Sequence, residues 1–211
     1  MNLFERIRLF FDRRHDDVAC TPIQMTTLHH DATNPSDDVL PFATTHPSAF
    51  KPNRWLPEIW PSRVLFICSG NICRSAYAPV IFQRLLKQTD KKTQICSAGT
   101  LRISGRMAAP QMIQAASEFG DDLSTHRSTP LSMPLLNAAD VIFIMSPEHE
   151  RACITLEPRC RNKICYLSHW LEPPAIEIPD PMGQTYDAYQ RAAKQLNDAL
   201  NHWFEQAKNI T

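Results

Sequence analysis

From Arg63 onward the chain alternates between two hydrophobic periods, and this alternation limits the fold more than any other feature. Short, mostly continuous apolar runs occur at VLFIC (64–68), TQICSAG (93–99), DVIFIM (140–145) and KICYL (163–167). Runs of this length without polar alternation predict strands buried on both faces. Between and after them, residues 75–88, 107–119, 147–157 and 185–207 have helical spacing, as in Ala76, Val80, Leu85 and Leu86. Strands that alternate with helices predict an α/β fold over residues 63–211, a four-stranded parallel sheet with helices on both faces. With 43% hydrophobic residues in 211, the chain can fill such a core.

Residues 1–62 stand outside this alternation and read as an irregular N-terminal arm. Within MNLFERIRLFFDRRH, Leu3, Phe4, Ile7, Phe10 and Phe11 share one helical face, which predicts an amphipathic helix over about 2–15. Its arginines outnumber its acids, a pattern suited to a membrane surface or a protein partner, while its apolar face equally suits packing on the following domain or pairing in a dimer. Residues 16–62 hold Pro22, Pro35, Pro41, Pro47, Pro52, Pro57 and Pro61 and no glycine, and read as a Pro-rich linker. In FKPNRWLPEIWP (50–61), Trp55 and Trp60 between prolines are expected to clamp the arm to the domain. His29, His30 and Asp31 in the linker read as a solvated polar tract, and no metal site is expected.

Composition excludes several function classes. Basic and acidic residues balance at 22 each, so no global field draws nucleic acid or anionic lipid. No run of about 18 apolar residues exists to span a bilayer. Seven cysteines at irregular spacing, with no signal-peptide pattern, read as reduced thiols in a cytoplasm.

The chemistry concentrates in CSGNICRS (68–75), between the first strand and its helix. In a parallel sheet, ligands sit beyond the carboxyl ends of the strands, where helices begin. Small residues let the backbone curl so that the N–H groups of Ser69, Gly70, Asn71, Ile72 and Cys73 converge, and the helix N-terminus adds partial positive charge. Arg74 contributes a planar fork for two anion oxygens. The same field should favour a Cys68 thiolate, moving its pKa from roughly 8.5 into the range of about 3.5 to 7.5. A thiolate beneath a bound phosphate is an in-line nucleophile. The pattern therefore predicts phosphoryl transfer to sulfur and then to water, with no cofactor.

The sequence resembles the low-molecular-weight protein tyrosine phosphatase family over residues 63–207. The resemblance rests on VLFICSGNICRS, SAGT (97–100), HRS (126–128), AADVIFIM (138–145) and IPDP (178–181), in the family's order and spacing. LSHW (167–170) and EIPDP (177–181) are similar to the bacterial branch associated with exopolysaccharide and capsule production. The resemblance implies Cys68 as nucleophile, Arg74 as phosphoryl-binding residue and Asp180 as general acid and then base. It implies that Ser75 supports the Cys68 sulfur and that Ser97 and His126 brace Asn71. The partner it implies is a phosphotyrosine protein, in this branch a membrane-bound tyrosine kinase or its targets. Residues 1–15 would then make peripheral contact at the inner membrane face or with such a kinase.

Several positions depart from the family pattern. Ala76 stands where Pro is usual and Pro79 where Glu is usual, and Pro79 predicts a late start or slight kink in the first helix. Ile103 and Met182 occupy places where aromatic walls are common, so the cleft is expected to have aliphatic and thioether walls. Tyr186 and Tyr189 read as packing residues. Cys73 reads either as a small buried residue or as a partner that protects Cys68 through a disulfide. Cys153 and Cys160 read as structural. The competing functions are an arsenate reductase of related fold, which would need a relay cysteine directly after the third strand, and a phosphotyrosine-binding module without turnover, which would be expected to lose Cys68 or Asp180.

Overall fold

The computed structural model describes residues 52–211. The expected helix at about 2–15 and the linker to residue 51 lie outside the described residues. Four parallel strands form one sheet: β1 (Arg63–Cys68), β2 (Gln94–Gly99), β3 (Val141–Ile144) and β4 (Ile164–Tyr166). Their spatial order is β2-β1-β3-β4. The chain leaves β1 toward one side to make β2 and returns past it to make β3, so the loop after β1 opens at the switch point of the sheet.

Among the described residues, five α-helices cover the sheet: α1 (Arg74–Leu86), α2 (Pro110–Ser117), α3 (Met133–Ala138), α4 (Pro147–Leu156) and α5 (Tyr186–Ala207). The pleat of β1 divides the core. Val64, Phe66 and Cys68 face α1, α2 and α5, whereas Leu65 and Ile67 face α3 and α4. Phe66 stacks on Phe143 at 4.9 Å between centroids, and Trp203 of α5 meets Phe143 edge-on at 5.1 Å. Burying each of these rings contributes about 2–3 kcal/mol. This packing fixes β1, and with it the carboxyl end from which the loop springs.

Two details differ from the sequence reading. α1 starts directly at Arg74 and runs through Pro79 to Leu86, with no delayed start. Pro79 is the sixth residue of α1, past the first turn, and the helix continues although residue 79 has no N–H to give the Ser75 carbonyl. Helix α3 was absent from the expected elements; its six residues carry Pro134 in the first turn and are too few to show a helical period.

The stretch before β1 packs on the domain. Trp60 meets Phe204 edge-on at 5.6 Å, and its Nε1 donates to Thr93 Oγ1 at 2.8 Å. Arg54 Nε donates to the His169 carbonyl at 3.0 Å, and the guanidinium lies 5.8 Å from the Trp170 ring centre and pairs with Glu172. No helix among the described residues is long and apolar enough to cross a membrane.

Candidate active site

Cys68 ends β1 and is buried, with the following loop wrapped over it. Asn71 gives the loop its sharp turn, with a φ of 51° in the left-handed region. The loop carbonyls are tied outward: Cys68 O accepts from Thr100 N at 3.0 Å, Ser69 O from Leu101 N at 2.9 Å, and Ile72 O from Ala109 N at 2.8 Å. No backbone N–H from Ser69 to Cys73 finds a protein partner among the described residues. With the carbonyls held on one side, these donors are left for the other, at the N-terminus of α1.

β2 is pressed against this loop. A Cβ on Gly99 would lie 2.7 Å from Ser69 O and 2.9 Å from Asn71 N. Only glycine permits that approach, and Gly99 is opposite Cys68 in the β1–β2 register.

The Asn71 side chain holds the loop from beneath. Its Nδ2 donates to Ser75 Oγ and to Ser97 Oγ, both at 2.9 Å, and its Oδ1 accepts from Thr129 N at 2.8 Å. His126 Nε2 donates to the Asn71 carbonyl at 2.7 Å. Burial lowers the pKa of His126, which favours the neutral ring with its proton on Nε2. Ser75 Oγ in turn donates to Cys68 Sγ at 3.0 Å. The structure thus brings Asn71, Ser75, Ser97 and His126 into one network that ends on the Cys68 sulfur.

Arg74 begins α1 and is only 3% exposed. Its NH1 donates to the Ile178 carbonyl at 3.0 Å, and its NH2 pairs with Asp180. The buried Nε has no partner. A buried guanidinium donor left unpaired is costly, and an oxyanion in the loop would satisfy it. Ile178 N donates to Met145 O at 2.9 Å, which anchors the Asp180 loop to the end of β3. Met182 N then donates to Asp180 Oδ1 at 3.1 Å, holding the carboxylate at the mouth of the site.

Cys73 is buried beside the loop, and burial first, then Cys68 and Asp180, push its thiol up to about 12. Next to the loop is an open, mostly apolar trough lined in part by Ile72, Arg106, Met107, Ala109 and Met182. Ile103 lies over Gly70. Tyr189 is buried with its hydroxyl 3.8 Å from Met182 Sδ, and Tyr186 donates to Glu118 at 2.6 Å. Both tyrosines pack, and the walls near the site are aliphatic and thioether.

Four residues in this assembly had no role in the sequence reading: Gly99, Thr129, Ser146 and His149. His149 Nε2 lies 3.2 Å from Ser69 Oγ, and its Nδ1 lies 3.1 Å from Ser146 Oγ. The helical spacing of 147–157 does not by itself single out His149.

Residues 63–210 match the family model for low molecular weight phosphotyrosine protein phosphatases. The chain is similar to the low molecular weight protein-tyrosine-phosphatase Wzb of Salmonella typhi, 32% identical over 147 residues, covering 66% of this chain and 95% of the relative. It is also similar to the protein-arginine-phosphatase of Bacillus subtilis, 27% identical, covering 69% and 96%. Among solved structures, Vibrio vulnificus Wzb in complex with benzylphosphonate superposes with a TM-score of 0.64 at 28% identity, covering 70% of this chain and 99% of that one. Motif order, loop geometry and family match lead to one assignment: the chain belongs to the low molecular weight phosphotyrosine protein phosphatase family.

Proposed function

We propose that this protein hydrolyses phosphotyrosine in proteins through a cysteinyl-phosphate intermediate. The observation that carries the reading is the set of unpaired donors around Cys68, namely the N–H groups of Ser69 to Cys73 and the buried Arg74 Nε. They suit the equatorial oxygens of a phosphoryl group. As the anion enters, Arg74 NH2 exchanges the Asp180 carboxylate for a phosphoryl oxygen. The Cys68 thiolate attacks phosphorus, the bond to the phenolic oxygen breaks, and protonated Asp180 gives its proton to the departing phenolate. Asp180 then takes a proton from water, which attacks phosphorus and releases phosphate and the thiolate. The Ser75 hydroxyl stabilises that thiolate as it leaves.

Phosphotyrosine is favoured over phosphoarginine by the trough, whose lining contains no carboxylate to pair a guanidinium and does contain Arg106. The Vibrio relative's ligand, benzylphosphonate, is an aryl-bearing phosphate mimic, which suits the same reading. The arsenate-reductase alternative lacks support. Met145 and Ser146 follow β3, and Cys153 and Cys160 are buried on the sheet face opposite Cys68. The resemblance to the exopolysaccharide-associated branch extends the reading to a tyrosine kinase, or its targets, in polysaccharide production. Recruitment to that kinase at the inner membrane face is assigned to residues 1–15. A chain starting at Asn53 should then keep its rate on a small aryl phosphate and lose co-sedimentation with the kinase. The substrate reading is tested with peptides carrying phosphotyrosine, phosphoserine, phosphothreonine and phosphoarginine. Preference for any but the first contradicts it.

A further inference from the structure

His149 is 2% exposed, on α4, beneath the phosphate loop. A buried histidine is most often a packing residue with its nitrogens satisfied. Its neighbours here support a narrower role. Arg74 NH2 approaches Ser69 Oγ at 3.5 Å, and the guanidinium can only donate. The Ser69 oxygen therefore accepts from Arg74 and sends its own proton elsewhere. Among the described residues, the acceptor within reach is His149 Nε2, at 3.2 Å. For Nε2 to accept, the ring proton must sit on Nδ1, where Ser146 Oγ lies 3.1 Å away and receives it.

The ring's charge state agrees with this directionality. Burial, and then the adjacent Arg74, lower the pKa of His149 to about 3. A second cation against the guanidinium is thereby avoided, and Nε2 stays an acceptor at neutral pH.

We propose that His149 is a positioning residue of the phosphate site, acting through Ser69 to hold Arg74 in its anion-binding orientation. The proposal rests on the phosphatase reading above. The chain of contacts runs from Ser146 through His149 and Ser69 to Arg74. When the anion displaces Asp180 from Arg74 NH2, the Ser69 contact is the side-chain partner among the described residues that stays on that nitrogen. Without the acceptor, the Ser69 hydroxyl is free to rotate its proton toward the guanidinium, where it repels. Arg74 then loses a fixed lone pair on one side.

The test is a cycle on the full chain with Ser69→Ala, His149→Phe and the double variant, alongside His149→Gln. It reads kcat and KM on an aryl phosphate and inhibition by inorganic phosphate. His149→Phe should lower kcat/KM roughly tenfold, the effect of one hydrogen bond to a charged group, mostly through kcat. In the Ser69→Ala background the same change should cost less than about twofold, since its target is gone. His149→Gln, which offers an amide oxygen as acceptor, should recover most of the loss. An equal loss in both backgrounds, or a Gln variant as slow as Phe with an unchanged melting temperature, overturns the proposal. A second readout needs no variant. The imidazole nitrogen shifts of the wild-type protein should report a neutral Nδ1–H tautomer between about pH 5 and 8, and an Nε2–H tautomer or an imidazolium there also overturns it. A wild type that neither hydrolyses aryl phosphate nor binds phosphate refutes the phosphatase reading instead, and the tautomer measurement still judges the contact chain.

Discussion

Replacing Gly99 with alanine adds one methyl group against the backbone of the phosphate loop, and it should disable the site. The new Cβ would lie 2.7 Å from Ser69 O and 2.9 Å from both Asn71 N and Gly70 C, all backbone atoms. The first distance falls about 0.7 Å short of an ordinary contact, which begins near 3.4 Å. β2 cannot retreat, because Gly99 N donates to Thr129 O at 2.9 Å and Gly99 O accepts from Leu131 N at 2.7 Å. The loop must therefore lift by roughly half an ångström, carrying the N–H groups of Ser69 to Cys73 away from the position set by Cys68 and Arg74. Overpacking of this kind costs about 1–3 kcal/mol of stability, which lowers the melting temperature by roughly 2–10 °C in a chain of this size. Misplacement of the donors should cost more in rate, on the order of 10- to 100-fold in kcat/KM. The assay is steady-state hydrolysis of an aryl phosphate beside a thermal melt. A Gly99→Ala protein within a factor of two of the wild-type rate would refute the claim that close packing of β2 sets the loop.

Two further predictions follow from the same geometry. Asp180→Asn should slow phosphotyrosine peptides by roughly 100-fold or more and largely spare substrates with very acidic phenols, whose leaving groups need no proton; equal losses on both would remove Asp180 from the acid role. The pKa of His149 is lower in the folded state than in the unfolded chain, so its contribution to stability is present above about pH 6.5 and is lost as pH falls toward 3. Between pH 6.5 and 5 wild type should therefore lose about 2 kcal/mol more than His149→Gln, read by denaturant melts at each pH, and parallel curves would contradict the buried neutral ring.

What the sequence disclosed depended on how local each signal was. The strand VLFIC, the loop CSGNICRS and the start of α1 are contiguous, so the apolar run, the small residues and the helical spacing reported the phosphate loop together. Asp180 was legible through the prolines on either side, although its contact with Arg74 spans more than a hundred residues. His149 was not legible, because a helical period over 147–157 does not say which polar residue is buried, and its contact with Ser69 spans 80 residues. Gly99 appeared only as a letter in SAGT; its reason is a backbone approach between β2 and the phosphate loop. Helix α3 is too short to carry a period. Missed features of this kind depend on tertiary distance and leave no local pattern.

The account's central claim is that Cys68 accepts the phosphoryl group, and the direct measurement is the phosphorylated residue during turnover. Wild-type protein reacting with a fast aryl phosphate is quenched within the first turnovers and mapped by peptide mass. The account predicts one phosphoryl group on the peptide containing Cys68, a matching burst of phenol, and neither in Cys68→Ala, which still binds inorganic phosphate through the loop and Arg74. Turnover with the label on another residue, or a Cys68→Ala protein that hydrolyses at a comparable rate, would contradict it.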